Sequence, residues 1–559
     1  MATTVSSDNT LFDEFRLPAQ DLLRLSFCAP KAQHVKEWVE SLHATRIGQT
    51  SVILYKTLPE VVRLKTSVEQ RLSMLETMRP FVNQCIEGLT REFLHQPLIL
   101  PEQQMKTAII AQALQKYLND GYMVVTRDLC LSRKKNTVKQ QELATAIYRA
   151  VAGIGQLLLR SYQLYIPRLP EFWRQLHQLY QLARELEVAK QSITDTQLKT
   201  RKAMSITHAY TRILMLDCST PNQLRQTDIT QLYQALEEWS TMVTLETTDP
   251  SNEHTLYWVD LLSDKGPFYK QRFRGEPGEH IKEINTNALL FMLNEEAPED
   301  NTPPIETNQQ PLRQSLLTHA IQSWQQLKRR QEDRQSAHQI LETCAGLSAI
   351  HEQLLGKVSF ETFLKSPGDN QETPSFGDFA MPLVDVEEED DDDQKPKICI
   401  NQISSATAID SSGSGFCLKW ENQIPSHVKV GELVGLREPQ RHRWHIGIVR
   451  WVQRHQSSTY VGVQLLGKKA TPYAASTTLP DGTNSPYFRA LLLTDSPHSS
   501  STYSLVTPSV PFEVNQKIRL RQNGEQTRAH LTRRLIASGA ISQFTYREIK
   551  QTKQPTSSE

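Results

Sequence analysis

Residues 410–420 read Asp-Ser-Ser-Gly-Ser-Gly-Phe-Cys-Leu-Lys-Trp. A run of turn formers leads into a segment where Phe416, Leu418 and Trp420 alternate with Cys417 and Lys419. Alternation with period two marks a strand with one covered face. The stretch therefore predicts a tight turn opening onto a β-strand. Three more strand-like runs follow: HVKVGELVGLR (427–437), RWHIGIVRWV (443–452) and YVGVQLLG (460–467). Short strands at this spacing, joined by turn residues, predict a small β barrel. A second, shorter β set begins near Phe512. Its hairpin signal is Asn523-Gly524, between KIRLRQ and the run that ends at Ile536, and it closes with ISQFTYREI (541–549).

Upstream of the barrel the pattern is different. Residues 366–397 hold 2 basic and 11 acidic residues, with seven consecutive acids from Glu387 to Asp393. Like-charge repulsion at that density predicts a disordered linker. It acts as a solvated spacer, or as an intramolecular competitor for an anionic ligand of the basic region beyond it. Residues 398–559 carry 19 basic against 10 acidic residues, and the first 365 carry 41 of each. The formal net charge of zero is thus a neutral body, an acidic connector and a basic C-terminal third.

From about Leu22 to Met242 the periodicity is helical. Val35, Trp38, Val39 and Leu42 share one face. Ala144, Ile147, Val151, Ile154 and Leu158 form a stripe, as do Phe172, Leu176, Leu179, Ala183 and Leu186 after the Pro167/Pro170 pair. Pro80 predicts a break or kink within residues 56–95. Trp173 and Tyr180, flanking a stripe, read as core. Residues 255–294 mix strand-like, loop-rich basic and helical segments. A second helical block is expected from Pro311 to Phe363, with Ile340, Cys344, Leu347 and Ile350 at helical spacing.

The expected fold class is α+β: a large N-terminal helical region, then a C-terminal small β barrel with a short β extension. The expected boundaries are a tail (1–20), a helical domain (21–245), a mixed segment with the second helical block (246–365), the acidic linker (366–397), the barrel (398–496), a linker (497–510) and the β extension (511–550).

Composition narrows the function. Seven scattered cysteines without a CxxC argue against structural zinc and a disulfide framework, and fit a reducing cytoplasm. His427, His442, His445 and His455 match no metal spacing. The N-terminus has no apolar signal segment, and no run of 18 apolar residues predicts a membrane span. Phosphate-loop, nucleophile-elbow, zinc-protease and dinucleotide fingerprints are absent. The chain reads as a cytoplasmic binding protein rather than an enzyme.

Asp410-Ser411-Ser412-Gly413-Ser414-Gly415 fits the D/N-x-S-x-x-G motif of PilZ domains. The strands behind it, GFCLKW, Val428 to Val434, Ile446 to Val452 and Gly462 to Leu466, resemble the PilZ barrel in order and pattern. The resemblance covers residues 398–495. It implies a bacterial receptor for cyclic di-GMP, held by an R-x-x-x-R segment N-terminal to the barrel and by the D/N-x-S-x-x-G turn. The chemistry is apt, because guanidinium forks bind phosphates and guanine O6/N7 bidentately. The resemblance places Asp410, Ser412 and Gly415 at the base-binding edge, with Gly415 letting ligand approach the backbone.

The arginine segment departs from the pattern: residues 395–410 contain no arginine. Arg330/Arg334 has the spacing but is expected in a helix beyond the linker. Arg450/Arg454 lies on or beside a strand. Arg437 and Arg441 are the phosphate candidates, as replacements for the missing pair. The expected function is a non-catalytic cyclic di-GMP adaptor whose helical region meets another protein. The alternatives are a PilZ scaffold that binds only proteins, or a basic barrel that binds single-stranded nucleic acid through Lys517, Arg519, Arg521, Arg528, Arg533 and Arg534 with Trp444, Trp451 and Tyr460.

Overall fold

A computed structural model describes residues 15, 17–42, 46–94, 96–133, 140–252, 255–296, 313–326, 334–356, 358–365, 403–421, 424–478, 483–494 and 503–549. The acidic run of 387–393 lies outside the described residues. The chain forms two compact units, residues 1–329 and 330–559.

The first unit is helical. Its helices are α1 (Ala32–Ser41), α2 (Ile47–Arg63), α3 (Val68–Phe93), α4 (Glu102–Arg133), α5 (Gln140–Gln163) and α6 (Phe172–Glu185). After the hairpin β1 (Ser192–Thr194) and β2 (Ala203–Ser205) come α7 (Ile206–Cys218) and α8 (Gln226–Trp239). A four-stranded antiparallel sheet follows, in the order β3-β6-β4-β5, from β3 (Thr244–Thr247), β4 (Tyr257–Asp260), β5 (Phe268–Tyr269) and β6 (Ile281–Asn285). Helices α9 (Asn287–Glu296) and α10 (Gln314–Gln325) complete the unit.

The apolar stripes behave as their spacing predicts. Ala144, Ile147, Val151, Ile154 and Leu158 are all buried on α5, which is covered on nearly every side. Trp173 and Tyr180 are core, with the Tyr180 ring stacked 4.2 Å from that of Tyr210. Two expectations are corrected. Helix α3 runs unbroken through Pro80, because its buried face from Leu72 to Phe93 holds it in place. Part of the N-terminal segment is tied down rather than loose: Phe15 is buried, and Gln20 donates to Asp128 at 3.1 Å. Among the described residues no helix is long and apolar enough to cross a membrane.

The second unit contains two closed six-stranded barrels. The first is ordered β10-β11-β12-β9-β8-β7, from β7 (Gln335–Ala345), β8 (Ser404–Ser412), β9 (Gly415–Glu421), β10 (Leu433–Arg437), β11 (His445–His455) and β12 (Ser458–Gly467). The second is ordered β13-β14-β15-β18-β17-β16, from β13 (Lys469–Thr477), β14 (Phe488–Thr494), β15 (Tyr503–Pro508), β16 (Lys517–Gln522), β17 (Glu525–Ala537) and β18 (Ile541–Glu548). Two short helices, α11 (Leu347–Leu355) and α12 (Phe360–Leu364), lie between β7 and β8 in sequence. Ile350 of α11 joins one continuous core with Leu433, Trp444 and Ile446 of the first barrel and Leu491, Leu493 and Val506 of the second.

This differs from the expected boundaries. Residues 335–345, expected in a helix, are the strand that closes the first barrel between β8 and β10. The apparent helical pair Ile340 and Cys344 is split, since Ile340 is 58% exposed and Cys344 is buried. Leu341, Thr343 and Ala345 form the covered face instead. The acidic stretch is therefore an insertion within the first barrel's sequence, not a tether in front of it. The β extension is a full barrel. Only Lys468 separates β12 from β13, and β15 occupies part of the expected linker. The Asn523-Gly524 hairpin forms as read, with both residues at positive φ between paired Gln522 and Glu525.

Candidate functional site

The motif turn sits where β8 hands over to β9. Ser412 pairs with Gly415 across the hairpin, and Asp410 pairs with Cys417 beside a bulge. Ser412 Oγ accepts from the Ser414 backbone N–H at 3.3 Å, which fixes the turn. The Ser414 carbonyl accepts from the Leu465 N–H at 2.8 Å and ties the turn to β12. Gly415 is required by that closeness. A Cβ there would stand 2.2 Å from the Val463 carbonyl oxygen, so its bare Cα lets β9 lie against β12.

The first barrel strand reaches this turn from the other side. Ser336 of β7 pairs with Asp410 and Gln335 pairs with Ser411. One residue before β7, Arg334 donates from Nη1 to Asp410 Oδ1 at 2.7 Å. Both side chains remain partly open to solvent, each 29% exposed. Behind them Cys417 is buried. Burial pushes its thiol pKa up, the Asp410 carboxylate adds to that, and Arg334 opposes it. This rim therefore offers a fixed guanidinium, a carboxylate and a serine turn side by side. Arg330, four residues earlier, completes the R-x-x-x-R spacing and lies outside the described residues.

Arg437 and Arg441 are not brought to this rim. Arg437 donates from Nε to Glu342 at 2.5 Å, and its guanidinium lies 4.4 Å from the centroid of the Trp444 ring. It pairs with Glu342 on β7, six positions from Ser336, which pairs with Asp410. Six residues of strand span roughly 20 Å. Arg441 is exposed and pairs with Glu438 at 2.7 Å in its own turn. Asp410, Ser412 and Gly415 are thus grouped, while the two downstream arginines stand elsewhere, engaged with their own carboxylates. Arg334 takes the adjacent place. Its sequence signal was the R-x-x-x-R spacing, discounted because the strand behind it was read as a helix.

Of the three aromatics expected on a nucleic-acid face, Trp451 and Tyr460 are half-buried and one is withdrawn altogether. Trp444 is buried between the barrels, and the Trp451 ring covers Gly462, where a Cβ would collide with it.

Family comparisons tile the chain. Residues 33–251 match the model of the N-terminal domain of the cyclic-di-GMP receptor FimW. Residues 256–407 and 383–472 match that receptor's middle PilZ domain, and 473–549 match its C-terminal beta-barrel domain. The curated cyclic-di-GMP receptor FimW of Pseudomonas aeruginosa strain PAO1 is 29% identical over 585 residues, spanning 97% of this chain and 94% of its own length.

Proposed function

We propose a function from the family to which this chain belongs, the cyclic di-GMP receptors with a middle PilZ domain: it binds cyclic di-GMP at the rim of its first barrel and carries out no chemistry on it. The observation that supports the site is the Arg334–Asp410 ion pair beside the Ser412–Gly415 turn. It places an arginine directly ahead of the barrel's first strand, as the family's R-x-x-x-R requires.

The parts suit the ligand. Arg334 and Arg330 supply forks for phosphate oxygens and for guanine O6 and N7. Asp410 accepts from guanine N–H donors, and its existing bond to Nη1 holds Arg334 with its remaining donors free to turn outward. Ser412 contributes a hydroxyl at the turn. Gly415 serves the site indirectly, by seating the turn on β12. In this reading the helical unit is the output side, meeting a protein partner in the cytoplasm. Crosslinking from the helical unit with and without the dinucleotide tests that role, and an unchanged set of partners would remove it.

Calorimetric titration of the full chain with cyclic di-GMP tests the binding. Saturable binding is expected, weakened at least about tenfold by Asp410→Ala and by Arg334→Ala and untouched by Arg441→Ala. No heat at any attainable concentration, or affinity unchanged by both of the first two substitutions, would sink the proposal.

A further inference from the structure

The helical unit holds a cavity of its own. Helices α3, α4, α5, α7 and α8 and the loop after β1 line an open-mouthed cavity of about 390 Å³. That size is within the range that holds small organic ligands, roughly 300–1,000 Å³. Part of its wall is apolar or aromatic, including Leu118, Leu159, Met204 and Tyr233.

The charges on the wall are not balanced. Asp195 is buried and taken by two arginines, Arg79 at 2.8 Å and Arg149 at 3.2 Å. Burial works to raise its carboxyl pKa, but those two guanidiniums hold it below the usual carboxylate value. Glu237 is buried and taken by Arg212 at 3.0 Å. Glu87 pairs with Lys199 at 3.2 Å. Every carboxylate on the wall is therefore engaged by a cation other than Arg160.

Arg160, near the end of α5, is 3% exposed and lines the same cavity. Among the described residues no carboxylate pairs with it. Its Nε makes one long contact, 3.4 Å to Gln112 Oε1, and its buried Nη2 has no hydrogen-bond partner. Burial pushes its pKa down to about 10. A buried guanidinium without a counter-ion is costly to keep, and in folded proteins such groups are paired or serve a ligand.

We propose that this cavity is a binding site for a small organic oxyanion, a carboxylate or a phosphate monoester, whose charged end pairs with Arg160 and whose body rests on the apolar wall. The ligand supplies the missing counter-ion. Gln156 and Gln163 also line the cavity and can orient the ligand's polar atoms. The site lies wholly within the helical unit and gives this region a ligand of its own.

The experiment is thermal unfolding of the full chain in an Arg334→Ala background, which removes the barrel arginine as a competing anion site. Inorganic phosphate and acetate are the probes, with chloride at matched ionic strength as the reference. The helical unit's midpoint should rise with the logarithm of at least one probe's concentration. The stronger probe distinguishes a phosphate ligand from a carboxylate. Arg160→Met should melt higher than its parent without added anion, since the buried charge is gone, and should lose the response, with affinity weakened roughly 30-fold or more. Arg160→Lys keeps the charge without the fork and should respond more weakly than arginine. The proposal falls if neither probe moves the midpoint beyond chloride, or if Arg160→Met keeps the response. It also falls if Arg160→Met cannot fold, because Arg160 would then be needed by the empty structure.

Discussion

Arg334 and Asp410 stand 76 positions apart in sequence and meet in a 2.7 Å ion pair at the rim of the first barrel. The pair joins the residue before β7 to the end of β8 and brackets the motif turn. A partly exposed ion pair contributes at most about 1 kcal/mol to stability. A charge-assisted contact to a bound phosphate or guanine contributes more, about 1.5–3 kcal/mol. Arg334→Ala is therefore expected to leave the unfolding midpoint nearly unchanged and to weaken cyclic di-GMP binding at least about tenfold. Equal binding by the variant and the parent would separate this pair from the ligand site.

Arg437 gives the opposite expectation. It is tied to Glu342 and stacked on Trp444. A cation–π contact at such a site adds about 0.5–1 kcal/mol. Arg437→Ala should lower the second unit's stability by about 1 kcal/mol and leave dinucleotide affinity as it was. Urea titration and calorimetry on the same sample decide this. A loss of affinity with unchanged stability would return Arg437 to the ligand site.

How much of this was legible in the sequence depends on the range of the contacts. The turn at 410–415, the strands after it, the Asn523-Gly524 hairpin and the α5 stripe rest on local periodicity and turn chemistry, and all of them form. β7 rests on partners far away in sequence. It pairs with β8 across the acidic insertion and with β10 beyond that, so its own residues carry little signal. If β7 is a helix, Arg334 has no place in front of the barrel, which leaves Arg437 and Arg441 as the arginines nearest the motif in sequence. The second barrel was undersized for a related reason: β13 follows β12 after a single residue, and β15 is flanked by Ser- and Pro-rich sequence that resembles a linker. Arg160 could not be read at all, because its lack of a carboxylate partner appears only once the helices are packed.

Gly415 tests the turn without touching charge. A methyl group at its Cα would meet the Val463 carbonyl oxygen, which belongs to the backbone and cannot swing away. β9 would have to move off β12, weakening a ladder that also anchors the Ser414 carbonyl. Gly415→Ala should cost about 1–3 kcal/mol, in the range of overpacking in a tight interior. Denaturant midpoints measure it, and a variant as stable as the parent would show that the strands have slack here.

Arg71 shows that a buried arginine can serve the fold through its two terminal nitrogens, even with its Nε unpartnered. Its guanidinium donates to the carbonyls of Val61 at 2.7 Å, Val62 at 2.8 Å and Leu64 at 2.6 Å, all at the C-terminal end of α2. Those carbonyls have no partner within their own helix. Arg71→Met keeps most of the volume and strands three buried acceptors, each costing about 1–3 kcal/mol. The helical unit should lose at least about 3 kcal/mol, whereas Arg160→Met in the same unit should be stabilising. Opposite signs at two buried arginines distinguish a cap from a site awaiting its anion. A neutral Arg71→Met would remove that contrast.

Each unit also holds a histidine that acid should expose as a weak point. His177 is buried in the helical unit, with Nε2 at 2.9 Å from the Lys265 carbonyl and Nδ1 at 2.7 Å from the Tyr210 hydroxyl. A carbonyl only accepts, so Nε2 carries the proton and Nδ1 accepts from Tyr210. His351 is buried in the second unit, with Nε2 at 3.0 Å from the Tyr473 carbonyl. Burial, joined at His351 by the charge of nearby Arg489, brings both pKa values down to about 4. The unfolded chain takes up these protons first, near pH 6.5. Stability from these groups is complete above that pH and is lost as pH falls toward 4, by at most about 3 kcal/mol for each histidine. Denaturant unfolding from pH 7.5 to 4.5 should show both units weakening. His351→Gln should flatten the slope of the second unit alone, and an unchanged slope in that variant would place the acid sensitivity elsewhere.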